Sequence, residues 1–301
     1  MNGKILVIGS SNTDMVVQSE KLPVPGESVV GHQFLMNPGG KGANQAVAAA
    51  KLDGKVTFIA KVGNDIFGME AKKGFEAHGM DTSYIIEDIE NPSGVALIMV
   101  DAKGENCISV ALGANLALKK VEIDAAEQAF VEADFLLMQL EVPLETVIHA
   151  AETANSKGIK VVLNPAPAQA IPAALYKHLH IITPNETEAS MLTGIEVTDE
   201  VSAMKAAKAL KAKGAEIVII TLGSKGALVV SDDMEELVPS QKVKAVDTTA
   251  AGDTFNGALV VGLSEGMVLK EAVVFANKAA ALSVTKMGAQ SSIPLRNELN
   301  Y

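Results

Sequence analysis

The sequence predicts an α/β fold, a three-layer sandwich in which helices flank a central, mostly parallel sheet, with a small β-sheet lid attached. Three observations carry this expectation. Short continuous apolar runs recur along the chain, each closed by polar, Pro or Gly residues, as strands buried on both faces require. Segments with helical periodicity alternate with them, and strand-helix alternation builds a parallel sheet covered by helices. Two stretches, 15–36 and 93–112, break that alternation and read as strands around tight turns with no helix between.

The first run is Ile5-Leu6-Val7-Ile8, closed by Gly9-Ser10-Ser11, with Asn12 and Asp14 just past its end. Open α/β sheets place ligands at the carboxyl ends of parallel strands, so these side chains can hydrogen-bond a polyhydroxyl ligand; Asn-x-Asp is equally ordinary turn chemistry. In 15–36 the turn is Leu22-Pro23-Val24-Pro25-Gly26-Glu27, and in 93–112 it is Ala102-Lys103-Gly104. Together the two stretches make the expected lid. Its apolar face is an expected homodimer surface, because so thin a sheet cannot bury both faces alone.

Between the lid pieces comes Asn37-Pro38-Gly39-Gly40-Lys41-Gly42-Ala43-Asn44-Gln45, leading into an Ala-rich helix over 46–52. Such glycines let backbone approach a ligand and put Lys41 and Asn44 at the mouth of the helix. The stretch is not a P-loop, which needs Ser or Thr after Gly-Lys, and it lacks the glycine spacing of the dinucleotide fingerprint. Further on, 56–60, 135–140, 159–163, 180–183 and 217–222 read as strands. Residues 66–78, ended by Gly79, and 144–157, ended by Gly158, read as helices. Polar residues follow several of these strands: Glu141, Asn164, Asn185 to Glu188, and Thr221 to Gly226.

Composition narrows the classes of function. Of 301 residues, 48% are hydrophobic and 20% charged, an ordinary soluble profile. The net charge of −11 opposes broad contact with phosphate backbones, so nucleic acid is not an expected partner. One cysteine, Cys107, excludes an internal disulfide and a Cys-based metal cage. The five histidines, His32, His78, His149, His178 and His180, lack His-Glu-x-x-His spacing and read as surface or packing residues. Residues 205–213 read as the solvated face of an amphipathic helix. The N-terminus enters a strand with no signal pattern and no apolar run reaches about 18 residues, so the expected location is the cytoplasm, with no membrane span.

The stretch with the most chemistry is Asp247-Thr248-Thr249-Ala250-Ala251-Gly252-Asp253-Thr254-Phe255-Asn256-Gly257. Small residues run into an apolar helix pattern, so the N–H groups of Ala250, Ala251, Gly252 and Asp253 are expected to open that helix as an anion cradle. Asp253 in such a place is either a favourable first-turn acid or a general base beside a phosphate site. The second reading gives phosphoryl transfer its two main needs, a proton acceptor and donors for the transferring group.

Residues 247–257, together with 37–44 and Asn12-x-Asp14, resemble the two signature regions of the ribokinase-like carbohydrate kinases. The likeness extends over essentially the whole chain, including Val62-Gly63-Asn64-Asp65, Asn164-Pro165-Ala166-Pro167, Thr183-Pro184-Asn185-Glu186 and Gly288-Ala289-Gln290. It implies one kinase domain over 1–301, with the lid inserted in it. The reaction it implies is ATP-dependent phosphorylation of D-ribose at the 5-hydroxyl. A sister kinase of deoxyribose, fructose or adenosine, or a silent sugar-binding protein on the same fold, are the alternatives. By this resemblance Asp253 is the base, and Ala250, Ala251 and Gly252 are the anion hole. Asn12, Asp14, Gly40, Lys41, Asn44 and Glu141 match sugar-binding positions. Asn185 and Glu188 resemble a motif tied to magnesium and phosphate, and Thr221, Gly223, Ser224, Lys225, Gly226 and Asn277 correspond to the nucleotide site. Asp247, Thr249, Ser283, Lys286, Gly288 and Ser292 resemble a monovalent-cation site, implying potassium beside ATP and magnesium.

Overall fold

The computed structural model describes residues 3–299. The chain opens with β1 (Lys4–Ile8), β2 (Asn12–Ser19), β3 (Gly31–Gly39), α1 (Lys41–Lys51), β4 (Lys55–Gly63), α2 (Ile66–Ala77) and β5 (Ile85–Asp88). There follow β6 (Gly94–Val100), β7 (Asn106–Ala111), α3 (Lys120–Ala125), α4 (Glu127–Glu132), β8 (Phe135–Met138), α5 (Leu144–Ser156), β9 (Lys160–Leu163), α6 (Ala173–Tyr176) and β10 (Ile181–Ile182). The last part holds α7 (Glu186–Thr193), α8 (Glu200–Ala212), β11 (Ile217–Thr221), β12 (Gly226–Val230), β13 (Glu235–Pro239), α9 (Ala251–Ser264) and α10 (Leu269–Ser283).

Nine strands form one sheet in the order β13-β12-β11-β10-β9-β8-β1-β4-β5, and four form a second in the order β3-β2-β6-β7. From β11 to β5 every pairing in the large sheet is parallel. Period-two alternation along β1 makes the three layers. Leu6 and Ile8 join a core with α5 and α8 residues such as Val147 and Leu210, while Ile5 and Val7 join a core with Val47, Leu259 and Val273 of α1, α9 and α10. The α/β sandwich with a smaller attached sheet is thus the architecture expected.

Several elements differ from expectation. β12 and β13 pair antiparallel at one edge of the large sheet, an addition that strand-helix alternation does not announce. The turn into β12 requires glycine, since Gly226 has φ of 113° and a Cβ there would meet Val238 O at 2.1 Å. Asn12 and Asp14 lie within a strand rather than a turn, because β2 pairs with both β3 and β6 from Asn12 onward. Residues 37–39 complete β3, and α1 begins at Lys41 rather than 46, with Gly40 at φ 88° making the corner. The run 180–183 shortens to Ile181–Ile182, although His180 and Thr183 N–H still bond Val161 O and Leu163 O of β9. Residues 205–212 lie on α8, with Lys213 as its C-cap and Ala206, Ala207 and Leu210 on its buried face. No helix among the described residues is long and apolar enough to cross a membrane.

Candidate active site

A cavity of about 210 Å³ opens at the carboxyl edge of the large sheet, where α/β sheets place ligands. Its lining brings together Lys41, Asn164, Asn185, Glu188, Thr221 and the run from Ala250 to Asp253. Five separate connections of the chain therefore converge on one space.

Its floor is the start of α9. Ala250 caps the helix in the left-handed conformation at φ 59°, a costly geometry for a residue with a Cβ, and it turns the following amides toward the cavity. The expected cradle needs one correction. Ala251 N–H is spent on a turn bond to Thr248 O at 3.2 Å and Thr254 N–H bonds Ala250 O at 2.8 Å, whereas Gly252 and Asp253 N–H have no acceptor among the described residues. The donors left for an anion include these two, at the positive end of a 14-residue helix.

Asp253 is 6% exposed. Its Oδ2 accepts from Asn44 Nδ2 at 3.1 Å and its Oδ1 from Gln45 Nε2 at 2.9 Å. Burial pushes its pKa up, while the Lys41 ammonium and the amides of Gln45 and Asn44 pull it back. Lys41 answers with a raised pKa: burial alone would lower it, but Asp253, Glu141 and Glu188 outweigh that loss. One cation thus sits among several acids, which holds negative charge close to a prospective anion site.

Glu141 anchors the neighbouring loop. Its Oε2 accepts from Lys41 N–H at 2.9 Å and from the Ser10 hydroxyl. Asp14 projects over Gly39, where a Cβ would lie 2.4 Å from both of its carboxylate oxygens. Burial first, and then Glu141 and Asp253, push the Asp14 pKa up to about 6. Among the described residues no donor serves the Asp14 carboxylate, whereas Asn12 Oδ1 is already occupied by Asn115 Nδ2 at 2.8 Å. Gly40 is confined by Asn12 N, 2.7 Å from where its Cβ would stand.

Other expected residues are held in different ways. Asn185 and Glu188 form a reciprocal cap on α7: Asn185 Oδ1 accepts from Glu188 N–H at 2.8 Å, and Glu188 Oε2 from Asn185 N–H at 2.9 Å. Thr221 reaches the cavity, while Gly223, Ser224, Lys225, Gly226 and Asn277 are not part of its lining. Asn277 Nδ2 donates to Val238 O at 2.9 Å and so braces β13. Lys225 stands 4.0 Å from Glu186.

Behind the cradle, Asp247 accepts from Thr249 N–H at 2.9 Å, Thr249 Oγ1 at 2.6 Å and Gly288 N–H at 2.8 Å. Burial works to raise its pKa, but these donors hold it below the usual carboxylate value. Ser283 and Ser292 turn their hydroxyls to Ala280 O and Ala289 O, and Lys286 pairs with Glu298 at 2.6 Å. The Lys286 ammonium is therefore committed to Glu298, while the two hydroxyls, which donate to backbone, keep lone pairs alongside the backbone oxygens of that loop. Among the described residues no three His, Cys, Asp or Glu side chains gather as a metal cluster. His149 and His180 pair with Asp124 and Glu216 at the surface. The buried amides of Gln45, Gln139 and Asn256 at this site carry no motif of their own in the sequence.

Comparison with known proteins shows the family and the fold. Residues 2–296 match the model of the pfkB family carbohydrate kinases. The chain is 48% identical over 298 residues to a ribokinase of Haemophilus influenzae, covering 99% of this chain and 97% of that protein. It is 41% identical over 301 residues to a deoxyribokinase of Salmonella typhi, covering 98% and 97%. Arabidopsis thaliana ribokinase, solved in complex with ribose and ATP, superposes with a TM-score of 0.93 at 32% identity, covering 99% of this chain and 98% of that one.

Proposed function

The chain belongs to the pfkB family of carbohydrate kinases, and on that premise we propose that it transfers the γ-phosphoryl group of ATP to the 5-hydroxyl of D-ribose, yielding D-ribose 5-phosphate and ADP. The observation that carries the reading is a buried carboxylate, Asp253, in the same helical turn as the unpartnered amides of the cradle.

Asp253 takes the hydroxyl proton on Oδ2, the oxygen bonded to Asn44 on the substrate side. The freed oxygen attacks phosphorus, the bond to the bridging oxygen breaks, and ADP leaves with the electron pair. The Gly252 and Asp253 amides, together with Lys41, oppose charge on the transferring group. Asp14, lacking any donor among the described residues, receives sugar hydroxyls; Asn12, Gly40, Lys41, Asn44 and Glu141 complete the sugar site. Asn185, Glu188 and Thr221 face the triphosphate, with Gly223, Ser224, Lys225, Gly226 and Asn277 assigned to the rest of the nucleotide.

A magnesium ion supplies charge neutralisation for the triphosphate when bound. One free carboxylate oxygen on Glu188 and no acidic cluster suit an ion held mostly by phosphate and water. A potassium ion fits the loop of Asp247, Thr249 and residues 283–292, whose remaining ligands are hard oxygens. The small sheet closes over the sugar to exclude water, within a single kinase domain, and pairs with a second copy.

A coupled ATP-consumption assay over ribose, 2-deoxyribose, fructose and adenosine, with Asp253→Asn as control, tests the reading. Ribose preference and a loss of about 10²–10⁴-fold in the variant are expected. Preference for deoxyribose would favour the sister activity, since 41% and 48% identities separate the two weakly. No turnover on any of the four would reduce the protein to a binding role.

A further inference from the structure

Behind the cavity runs a chain of buried amides that the reaction just described leaves unused. Gln45 Nε2 donates to Asp253 Oδ1 at 2.9 Å and to Asn164 Oδ1 at 3.0 Å, while Gln45 Oε1 accepts from Gln139 Nε2 at 2.5 Å. Asn164 in turn donates to Thr183 O at 3.0 Å. Gln45 and Gln139 are 0% exposed.

The polarity of this chain is dictated from one end. An ionised carboxylate only accepts, so Gln45 must present its NH₂ to Asp253. Its oxygen then faces Gln139, which must present its own NH₂. Gln139 Oε1 is left buried with no partner. An unpaired buried acceptor costs about 1–3 kcal/mol. The fold provides the room for it: a Cβ on Gly9 would lie 2.2 Å from that oxygen. Reversing both amides, so that a protonated Asp253 donated to Gln45 Oε1, would forfeit the Gln45 bond to Asn164 Oδ1 and leave the Gln139 NH₂ as the orphan in place of its oxygen. The arrangement observed gives Asp253 Oδ1 the donor that an ionised carboxylate needs and leaves Oδ2 on the substrate side.

We infer that Gln45, held by Gln139, is a positioning residue that fixes the orientation of Asp253 and keeps its carboxylate ionised for proton abstraction. The inference rests on the proposed phosphoryl transfer. The charged groups around Asp253 are Lys41 from α1, Asp14 from β2, Glu141 after β8 and Glu188 from α7. Four of the five carboxyl and ammonium neighbours, counting Asp253 itself, are acids, so without a fixed donor on Oδ1 the carboxylate would hold its proton to higher pH.

The test is Gln45→Glu, nearly isosteric but carrying an acid where the donor stood. Its kcat and KM for ribose and ATP are measured across the pH range, with thermal melting as a check on folding. Expected is a 10- to 100-fold fall in kcat near neutrality, an acidic limb moved up by at least about one pH unit, recovery of rate at high pH, and ribose KM within about threefold. A merely structural role would lower stability without moving the limb. Gln139→Met, one bond further away, should move the limb in the same direction by less, and it decides the matter if Gln45→Glu does not fold. Superimposable pH profiles in the folded variants would overturn the inference while leaving the reaction intact. Absence of turnover in the unmodified protein would remove both, and is recognised because it precedes any substitution.

Discussion

Asn44 Nδ2 stands 3.1 Å from Asp253 Oδ2, a contact between residues 209 positions apart that locks the start of α1 to the start of α9. Two helix N-termini therefore share one carboxylate. On the proposed reaction, this contact puts an amide of the sugar site and the turn of the phosphate site within reach of the same proton acceptor, as an in-line transfer needs.

The pH dependence of sugar binding should report Asp14. Its pKa is pushed from 3.8 up to about 6, so the folded protein holds a proton there that the unfolded chain releases. Across that window the native state binds more protons, and the contribution of this group to stability falls as pH rises from the lower value through the higher one. Binding runs the other way, because only the ionised carboxylate accepts two hydroxyl protons. Ribose KM is expected to fall as pH rises through about 6, changing roughly tenfold per unit below it. Asp14→Asn should flatten that change. A KM independent of pH in the unmodified protein would detach Asp14 from the sugar.

The clamp around Asp247 makes a second prediction. Its carboxylate ties Thr249, at the edge of the cradle, to Gly288, 41 residues on. A cation held by the same loop would couple to the phosphate site through charge and through the position of these amides. Replacing potassium by choline is expected to lower kcat several-fold while the melting temperature changes little. Asp247→Ala, which frees the Thr249 and Gly288 amides, should lower both. Equal rates in the two salts would leave Asp247 with the loop alone.

What the sequence made legible follows the range of the interactions. The helix start at Asp253 and the glycine-rich entry at Lys41 are local patterns, set by small side chains, and both are found as helix entries, though Ala251 drops out of the cradle and α1 begins earlier than read. Asn12 and Asp14 were ambiguous because turn and strand both tolerate Asn-x-Asp. Only the pairing of β2 with β3 and β6, partners some 25 and 80 residues away, settles them as strand residues. Gln45 and Gln139 could not be recognised at all. Buried glutamine has no spacing signature, and its worth here comes from partners 94 to 208 positions distant. The antiparallel β12 and β13 escaped for a related reason, since edge strands of this kind interrupt the strand-helix alternation.

The small sheet supplies the remaining prediction. Residues in register share a face, so Phe34, Val17 and Met99, with Met36, Met15 and Leu97, form one side, while Asp14, Val16 and Leu35 form the side that carries the Asp14 carboxylate. On the first side Phe34 is 58%, Met36 56% and Leu97 54% exposed. Uncovered apolar groups also lie on the Asp14 side, at Ile108 and Val110, but those of β3 and β6 on the face away from Asp14 call for a partner, and a second copy offers a self-complementary one. A dimer is expected by light scattering at micromolar concentration. Leu97→Asp should convert it to monomer and raise ribose KM, because a lid that has lost its support closes less well over the sugar. A monomeric unmodified protein with full activity would show that the sheet needs no partner to do so.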